Sequence, residues 1–464
     1  MFKRFNKMSR SSSAALTLLF CGICHLHAQG VAKSPMRSIT ARQLVYDMKV
    51  GWNLGNTLDA PDGETTWGNP TTTQAMIDAV KAMGFKTVRI PVTWDKHMGG
   101  APEYTIDKAW LDRVETVVNY VLRDSMYAIL NTHHDEWVKL TAPDTATPMV
   151  RFTKLWTQIA TRFKDYGDYL IFETLNEPRQ TENEWNGGTP VARAILNKYH
   201  QNAVSAIRAT GGNNTGRFLL ICGHSAAPVS EAVKGIVIPD NNDPKCVISL
   251  HTYYPQDFSF AGNVSTWGTA TDKSNVTKEL DREKTDVASK GGGTAIIGEW
   301  GAVDKNNLSA RVAHAEYYAQ EARTRGMLPV WWDNGGTDFG ILDRKANPPA
   351  WKFPTIAQAL VRGAGNATPP IAVDFAEQPS SGRAKAALFT VKADRITYTL
   401  PASLPIAVRL ISLRGETVAT LLQTVQTAGT HSVILPVKHY PAGSYFIAMC
   451  AGSSEEIRNV TFLR

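Results

Sequence analysis

The sequence is poor in several features that would settle its class at once. Five of its 464 residues are cysteine. Two of these, Cys21 and Cys24, lie in an apolar N-terminal run, which leaves Cys222, Cys246 and Cys450 in the rest of the chain. An odd and small set implies no disulfide framework. Cys222 and Cys246 sit in apolar, strand-like runs and read as buried free thiols. Downstream of residue 28 there is no CxxC, no HExxH and no other tight cluster with metal-ligand spacing, so neither a metal nor a cofactor is expected. The formal net charge is +7, yet no long Lys/Arg run accompanies it. The charge reads as bulk balance, and no nucleic-acid partner is expected. No apolar run is long enough for a comfortable membrane span. There is no GxGxxG after a first strand, no P-loop and no GxSxG elbow, which argues against an open dinucleotide-binding sheet and against an acyl ester hydrolase.

What is present starts at the N-terminus. "MFKRFNKMSR" is basic, "AALTLLFCGICHL" is apolar, and "HAQG" offers a small residue for cleavage. This is the layout of a secretory signal peptide over residues 1–28, cut after Ala28. A lipoprotein signal is the rival reading, but neither Cys21 nor Cys24 follows the required small residue. The expected location is secreted or cell-surface associated.

Between residue 50 and about residue 335, short apolar runs recur: "VGWNLGN", "FKTVRIPV", "YAILNTHH", "LIFETLNEP", "FLLICGHS", "CVISLHTY", "TAIIGEWG" and "LPVWWDNGG". They are near-continuous rather than alternating, as suits parallel strands covered on both faces. Helical patterns separate them. "TTTQAMIDAVKAMG" has Met76, Ile77, Val80 and Met83 at helical spacing, threonines to cap its start and Gly84 to end it. "DKAWLDRVETVVNYVLRDS" has Asp107 as a cap. The segment after the fifth run, "SAAPVSEAV", is short and weak, and "FPTIAQALVRG" closes the series. This alternation predicts an α/β fold, a (β/α)8 barrel over residues 38–363, with an open doubly wound sheet as the rival. Residues 364–384 are rich in Gly, Pro, Ala and Ser and read as a linker. Residues 385–464 alternate in short strands with turn signals, which predicts a small antiparallel β-sandwich.

In a barrel of this kind the chemistry lies where the strands end at their C-terminal side. The polar residues there are Arg89, the pair His133 and His134, Asn176 and Glu177, His251 and Tyr253, Glu299, and Trp332. Strands four and seven lie on roughly opposite arcs, so Glu177 and Glu299 can face each other across the mouth. Two facing carboxylates suit cleavage of a glycosidic bond: one donates a proton to the leaving oxygen, and the other attacks or activates water. A separation of about 5 Å would mean retention through a covalent intermediate. Arg89 and Tyr253 can hold the nucleophile, Asn176 can bind the sugar 2-OH, His251 can orient the acid, and His133 and His134 can bind sugar hydroxyls. Paired histidines can instead ligate a metal, but no third ligand at tight spacing accompanies them. Of the two tryptophans in "WW", the second is the one expected to stack on a sugar. Glu177 is expected to titrate high and Glu299 low. The loops "GNPTTT", "APDTATPM" and "QTENEWNGGTP" contain no long lid, which favours an open groove and endo action.

At these residues the sequence resembles glycoside hydrolase family 5, the cellulase family. "GWNLGNTLDA", "VRIPVTW", "NTHHD", "LNEP", "HTYYP", "IGEWG" and "WWDNG" occur in the family's order. The resemblance implies Glu177 as acid/base and Glu299 as nucleophile, with Arg89, His133, Asn176, His251, Tyr253 and Trp332 around them. It also implies a metal-free retaining endo-hydrolase of β-1,4-linked glucans (cellulose, xyloglucan or mixed-linkage glucan), with an endo-acting xylanase or mannanase of the same fold as the alternative. The β-glucan polysaccharide is the expected partner of a monomer. A non-catalytic glycan-binding protein on the same barrel is the reading from another class. The C-terminal segment, with "QTAGTHSVILPVKHYPAGSYFIAMC" and "IRNVTFLR", is similar to small domains that act as export or surface-attachment signals. A structural cap and a carbohydrate-binding module are its rivals. The second rival is disfavoured because the aromatic residues are few, Tyr398, Tyr440, Tyr445 and Phe446 among them, and include no tryptophan.

Overall fold

A computed structural model of the chain describes residues 31–141, 146–181, 184–260, 262–367, 389–392, 394–412, 417–441, 443–451 and 454–462. The signal-peptide segment and most of the linker segment lie outside these residues, as do parts of the loops "APDTATPM" and "QTENEWNGGTP". The chain divides into two compact units after residue 369.

In the first unit, β1 (Gly51–Asn53), β2 (Thr87–Ile90), β3 (Tyr127–Asn131), β4 (Leu170–Glu173), β5 (Leu219–Cys222), β6 (Cys246–His251), β7 (Ala295–Trp300) and β8 (Leu328–Trp331) form a closed barrel in sequence order. All its pairings are parallel, and β1 joins β8 to close the ring. Helix α1 (Ala41–Met48) precedes β1; the connections carry α2 (Gln74–Met83), α3 (Lys108–Arg123), α4 (Ala146–Arg162), α5 (Pro190–Ala209), α6 (Ser230–Lys234), α7 (Ala270–Val287) and α8 (Leu308–Thr324), and α9 (Pro354–Asn366) follows β8. The weak pattern after the fifth strand yields a helix of five residues, α6.

Side chains alternate across each strand. Trp52, Val88, Leu130, Phe172, Ile248, Ile297 and Trp331 pack outward against the helices. Ile129, Ile171, Leu220, Val247, Ile296 and Val330 fill the barrel, and Leu44, Val45 and Met48 of α1 join this inner cluster. The next inward positions up the strands are polar and fully buried: Asn53, Arg89, Asn131, Glu173 and Ser249. The barrel is thus an apolar plug beneath a polar layer, and the polar layer is the floor of the mouth. Cys222 and Cys246 are buried and unbridged.

The helix ends match their sequence signals unevenly. Asp107 accepts from the Trp110 backbone N–H at 2.8 Å, and Gly84 ends α2 in the left-handed conformation at φ 112°. Thr73 holds the N-cap position of α2, but its side chain makes no capping bond. The linker reading starts too early, because α9 runs on to Asn366. Gly363, where the expected barrel segment ends, lies inside α9, where a Cβ would stand 2.2 Å from the Glu316 carbonyl oxygen of α8. The glycine lets two helices approach closely; it does not stop one.

In the second unit, β9 (Phe389–Lys392), β10 (Arg395–Leu400) and β13 (Gly429–Ile434) form one antiparallel sheet. Strands β11 (Leu404–Ser412), β12 (Thr417–Gln426), β14 (Gly443–Ala451) and β15 (Ser454–Phe462) form another, in the order β12-β11-β14-β15. Phe389, Ile396 and Leu400 of the first share a core with Val408, Ile447 and Met449 of the second, which makes a β-sandwich. Tyr398 belongs to this core, and Tyr440 and Tyr445 pack against it.

The packing gives a test. Gly363→Val should lower stability by ~1–3 kcal/mol, because backbone must move to admit the side chain. Gly365→Ala, where nothing lies within 4 Å of the added Cβ, should be neutral or slightly stabilising. Equal denaturation midpoints for the two variants would contradict the close-approach role of Gly363.

Candidate active site

The sequence-derived residues converge on one mouth. Arg89 projects from β2, and its guanidinium spends its donors on four groups. Nε donates to Glu173 Oε2 at 2.7 Å, Nη1 to Asn53 Oδ1 at 3.1 Å and to Glu299 Oε1 at 2.8 Å, and Nη2 to Asn176 Oδ1 at 2.7 Å. Burial works against its charge, but Glu173 and Glu299 outweigh that cost and keep it protonated. Glu173 is held in turn by Asn131 Nδ2 at 3.1 Å and Ser249 Oγ at 2.6 Å. The Asn176 carbonyl is occupied by Arg89, so its amide N–H groups remain as donors.

Glu299 owes its direction to an irregular strand. Leu250 pairs with Ile297 and His251 with Glu299 on one side, while Ile297 pairs with Pro329 and Trp300 with Trp331 on the other. Against both neighbours β7 carries one extra residue around Gly298, a bulge that re-aims the next side chain. Asn53 Nδ2 donates to the Gly298 carbonyl at 2.8 Å. A Cβ at Gly298 would stand 3.2 Å from both His251 Nε2 and Ser249 Oγ, so the bulge leaves little room for one.

The two carboxyl groups are close: Glu177, His251 and Glu299 each place a ligand atom within 4.8 Å of the others'. Tyr253 donates to Glu299 Oε2 at 3.0 Å. His251 Nδ1 lies 2.6 Å from Glu177 Oε1 and 3.7 Å from Glu299 Oε2. Burial pushes Glu177 up to about 7. Glu299 is also raised by burial, although His251, Arg89 and the Tyr253 hydroxyl pull it back. The expectation of a low Glu299 therefore does not hold, since desolvation exceeds the pull of its partners. The pair remains unequal, because Glu299 has an arginine and a phenol in hydrogen-bond contact and Glu177 has only the imidazole. Burial lowers His251 to about 4, so it is neutral. With its hydrogen on Nδ1 it donates to Oε1, which leaves Oε2 as the atom that carries the Glu177 proton.

His133 and His134 stand perpendicular, with ring centroids 4.4 Å apart. Trp332 lies parallel to His133 at 6.0 Å. Trp331 is buried in the core and Trp332 is partly open. A third candidate ligand, Asp59, does come beside the two histidines, from a distant loop. The cluster is nevertheless built for hydrogen bonding. Both Asp59 oxygens accept backbone N–H groups, from Asn56 at 3.0 Å and Thr57 at 2.7 Å. Asn131 Nδ2 lies 3.1 Å from His133 Nδ1 and donates to it in the Nε2–H tautomer. Arg89 and Arg179 add positive charge near His134. The second cluster, Glu177, His251 and Glu299, already receives the cation Arg89.

Sequence reasoning missed the polar floor of Asn53, Asn131, Glu173 and Ser249. It also missed Arg179 and two exposed tryptophans, Trp67 beside His134 and Trp185 beside Arg179. The available signal for the last two was a tryptophan in an otherwise polar loop, "ETTWGNP" and "NEWNGG".

A parallel eight-stranded barrel with a close, unequal pair of carboxyl groups at the C-terminal mouth of its strands defines a glycoside hydrolase of the (β/α)8 class. Residues 53–338 match the family Cellulase (glycosyl hydrolase family 5), and the chain belongs to that family. It is 47% identical over 372 residues to Endoglucanase B of Clostridium cellulovorans, covering 77% of this chain and 83% of that protein. It is 51% identical over 340 residues to Cellulase/esterase CelE of Acetivibrio thermocellus, covering 71% of this chain and 41% of that protein. Among solved structures, a GH5-4 broad specificity endoglucanase from Clostridium acetobutylicum superimposes with a TM-score of 0.67 at 48% identity, over 70% of this chain and all of the other.

Behind the His251–Tyr253 segment lies Glu283 of α7. It is fully buried, accepts from Thr252 Oγ1 at 3.2 Å, and its Oε2 has no partner. Burial raises it from 4.5 to about 8. Between these values the folded protein keeps a proton that the unfolded chain releases, so stability falls as pH rises from about 4.5 to about 8. Glu283→Gln should remove this dependence, with a gain in Tm over the parent that is largest at pH 8 and above. A Tm difference that stays constant from pH 5 to pH 9 would contradict it.

Proposed function

We propose that the chain is an exported endo-β-1,4-glucanase that cleaves glucan by double displacement, with Glu177 as acid/base and Glu299 as nucleophile. One observation carries the reading: an oxygen of Glu177 and one of Glu299 lie within 4.8 Å of each other, which fits the carboxyl spacing of about 5–5.5 Å that goes with retention better than the roughly 6.5–9.5 Å that leaves room for an inverting water.

In the first step a Glu299 oxygen forms a bond to the anomeric carbon. The glycosidic C–O bond breaks, and the proton on Glu177 Oε2 passes to the leaving oxygen. In the second step water attacks the same carbon and gives its proton to Glu177. The glycosyl ester breaks, and the Glu299 carboxylate returns to Arg89 and Tyr253. The Asn176 amide is placed to donate to the sugar 2-OH. Neutral His133 and His134 offer hydrogen bonds to hydroxyls, and the open face of Trp332 offers a stacking surface. Relatives described as broad specificity endoglucanases, one with bound cellotriose, support a glucan backbone and tolerance of more than one glucan. Xylan and mannan are the rival backbones.

Among the described residues no helix is long and apolar enough to cross a membrane. The N-terminal basic, apolar and small-residue order supports export, and monomeric action fits a site built wholly from one chain. For the C-terminal sandwich we favour a role in export or surface attachment over glycan binding. Phe389, Tyr398, Tyr440, Tyr445 and Phe462 pack into or against its core, and none of the chain's tryptophans lies beyond Trp351.

Initial rates on carboxymethyl cellulose, xyloglucan, mixed-linkage β-glucan, xylan and mannan test the reading. High rates on the glucans with little on mannan are expected, and folded protein inert on every polymer would favour a non-catalytic glycan binder. Glu299→Gln should lower kcat by ~10⁴-fold or more while glycan binding persists, since the group acts on the transition state. The rate should follow a bell in pH, with its alkaline limb near the Glu177 value of about 7. A flat profile from pH 5 to pH 9 would contradict the pair.

A further inference from the structure

Arg179 has no part in the two displacements, yet it faces one of their groups. Its guanidinium carbon lies 3.9 Å from the ring centroid of Trp185. Its Nη1 is 3.5 Å from Glu177 Oε2, longer than the 2.7–2.9 Å or so of a closed charge-assisted hydrogen bond. That nitrogen is buried and makes no hydrogen bond. A buried N–H of a cation without a partner carries a free-energy cost, which a closed bond to Oε2 would relieve.

Among the described residues, the other charged and titratable groups around Glu177 are already engaged. Arg89 is spent on Glu173, Asn176, Asn53 and Glu299. Tyr253 holds Glu299, and His251 holds Oε1. Burial keeps His133 and His134 neutral. Burial keeps Cys222 a thiol, which donates to the Leu175 carbonyl at 3.6 Å.

On the reading that Glu177 is the acid/base, we infer that Arg179 is a positioning residue for its ionised form: it rests on Trp185 while Oε2 carries the proton and closes onto Oε2 once that proton has passed to the leaving oxygen. The stacking surface holds the guanidinium beside the carboxyl group without filling its bond. While Oε2 is protonated, its O–H must point at the sugar oxygen and Arg179 has no anion to meet. After transfer, Oε2 is a buried anion and Arg179 is the nearest unspent cation. The closure favours proton donation in the first step. The charge balance agrees: burial raises Glu177, and Arg179, followed by Arg89, pulls it back.

The test compares Arg179→Met, Arg179→Lys and Trp185→Ala on cellotetraose and on a nitrophenyl β-cellobioside, with kcat/KM measured against pH. Removing the positive charge should move the alkaline limb up by about one pH unit in Arg179→Met, with Arg179→Lys near the parent and Trp185→Ala between them. On cellotetraose, whose leaving group needs the proton, kcat/KM should fall ~10-fold in Arg179→Met, and on the activated aryl glycoside less than ~3-fold. An unmoved or lowered alkaline limb, or equal losses on both substrates, would assign Arg179 a structural role and overturn the inference. Should Arg179→Met fail to fold, the limb in Trp185→Ala, an exposed residue, decides. Azide rescue of Glu177→Ala on the aryl substrate checks the acid/base reading separately. Rescue with an unmoved Arg179 limb rejects only the inference; no rescue rejects the reading beneath it.

Discussion

The site depends on one buried arginine. Arg89 carries a full charge where no water reaches, and such a charge survives only when paired and fully hydrogen-bonded. Two carboxylates, Glu173 and Glu299, and two amide oxygens, Asn53 and Asn176, meet that need from three other strands, β1, β4 with its end, and β7. Each partner is thereby fixed. Glu173 is fully buried and already accepts from Arg89, Asn131 and Ser249, so it is not presented to substrate. Its role is to let Arg89 offer the other side of its fork to Glu299.

This arrangement separates the two outer carboxyl groups chemically although burial raises both. Glu299 is bound to a guanidinium and a phenol; Glu177 is bound to a neutral imidazole. In a closed space shared by two carboxyl groups, the proton settles where the charged form is least supported, which is on Glu177. On the proposed assignment, the division of labour between acid and nucleophile is set by which neighbours the barrel supplies and not by any difference between the two side chains. The bulge at Gly298 supplies the last piece by turning Glu299 toward Arg89.

Much of this was legible in the sequence because a parallel barrel writes its active residues at strand ends. The eight apolar runs marked the strands, and Glu177, Glu299, Arg89, His251 and Tyr253 were visible as polar residues closing them. Glu173 was hidden for the same reason: a carboxylate inside "LIFE" breaks no pattern that a single sequence reveals. The bulge was invisible because register is a property of two strands. The linker boundary after residue 363 falls too early because the glycines there lie within a helix that continues to Asn366. The third neighbour of the histidine pair, Asp59, arrives from more than seventy positions away, so spacing could not announce it.

The account stands most directly on Glu299 as the group that bonds to sugar. A 2-deoxy-2-fluoro-β-cellobioside with an activated leaving group slows the second displacement and traps any glycosyl ester for peptide mass spectrometry. The account predicts a single added fluoro-cellobiosyl group on the peptide that contains Glu299, released when a second sugar accepts it. A label on Glu173 or Glu177, or no label together with first-formed product of inverted anomeric configuration, would contradict it.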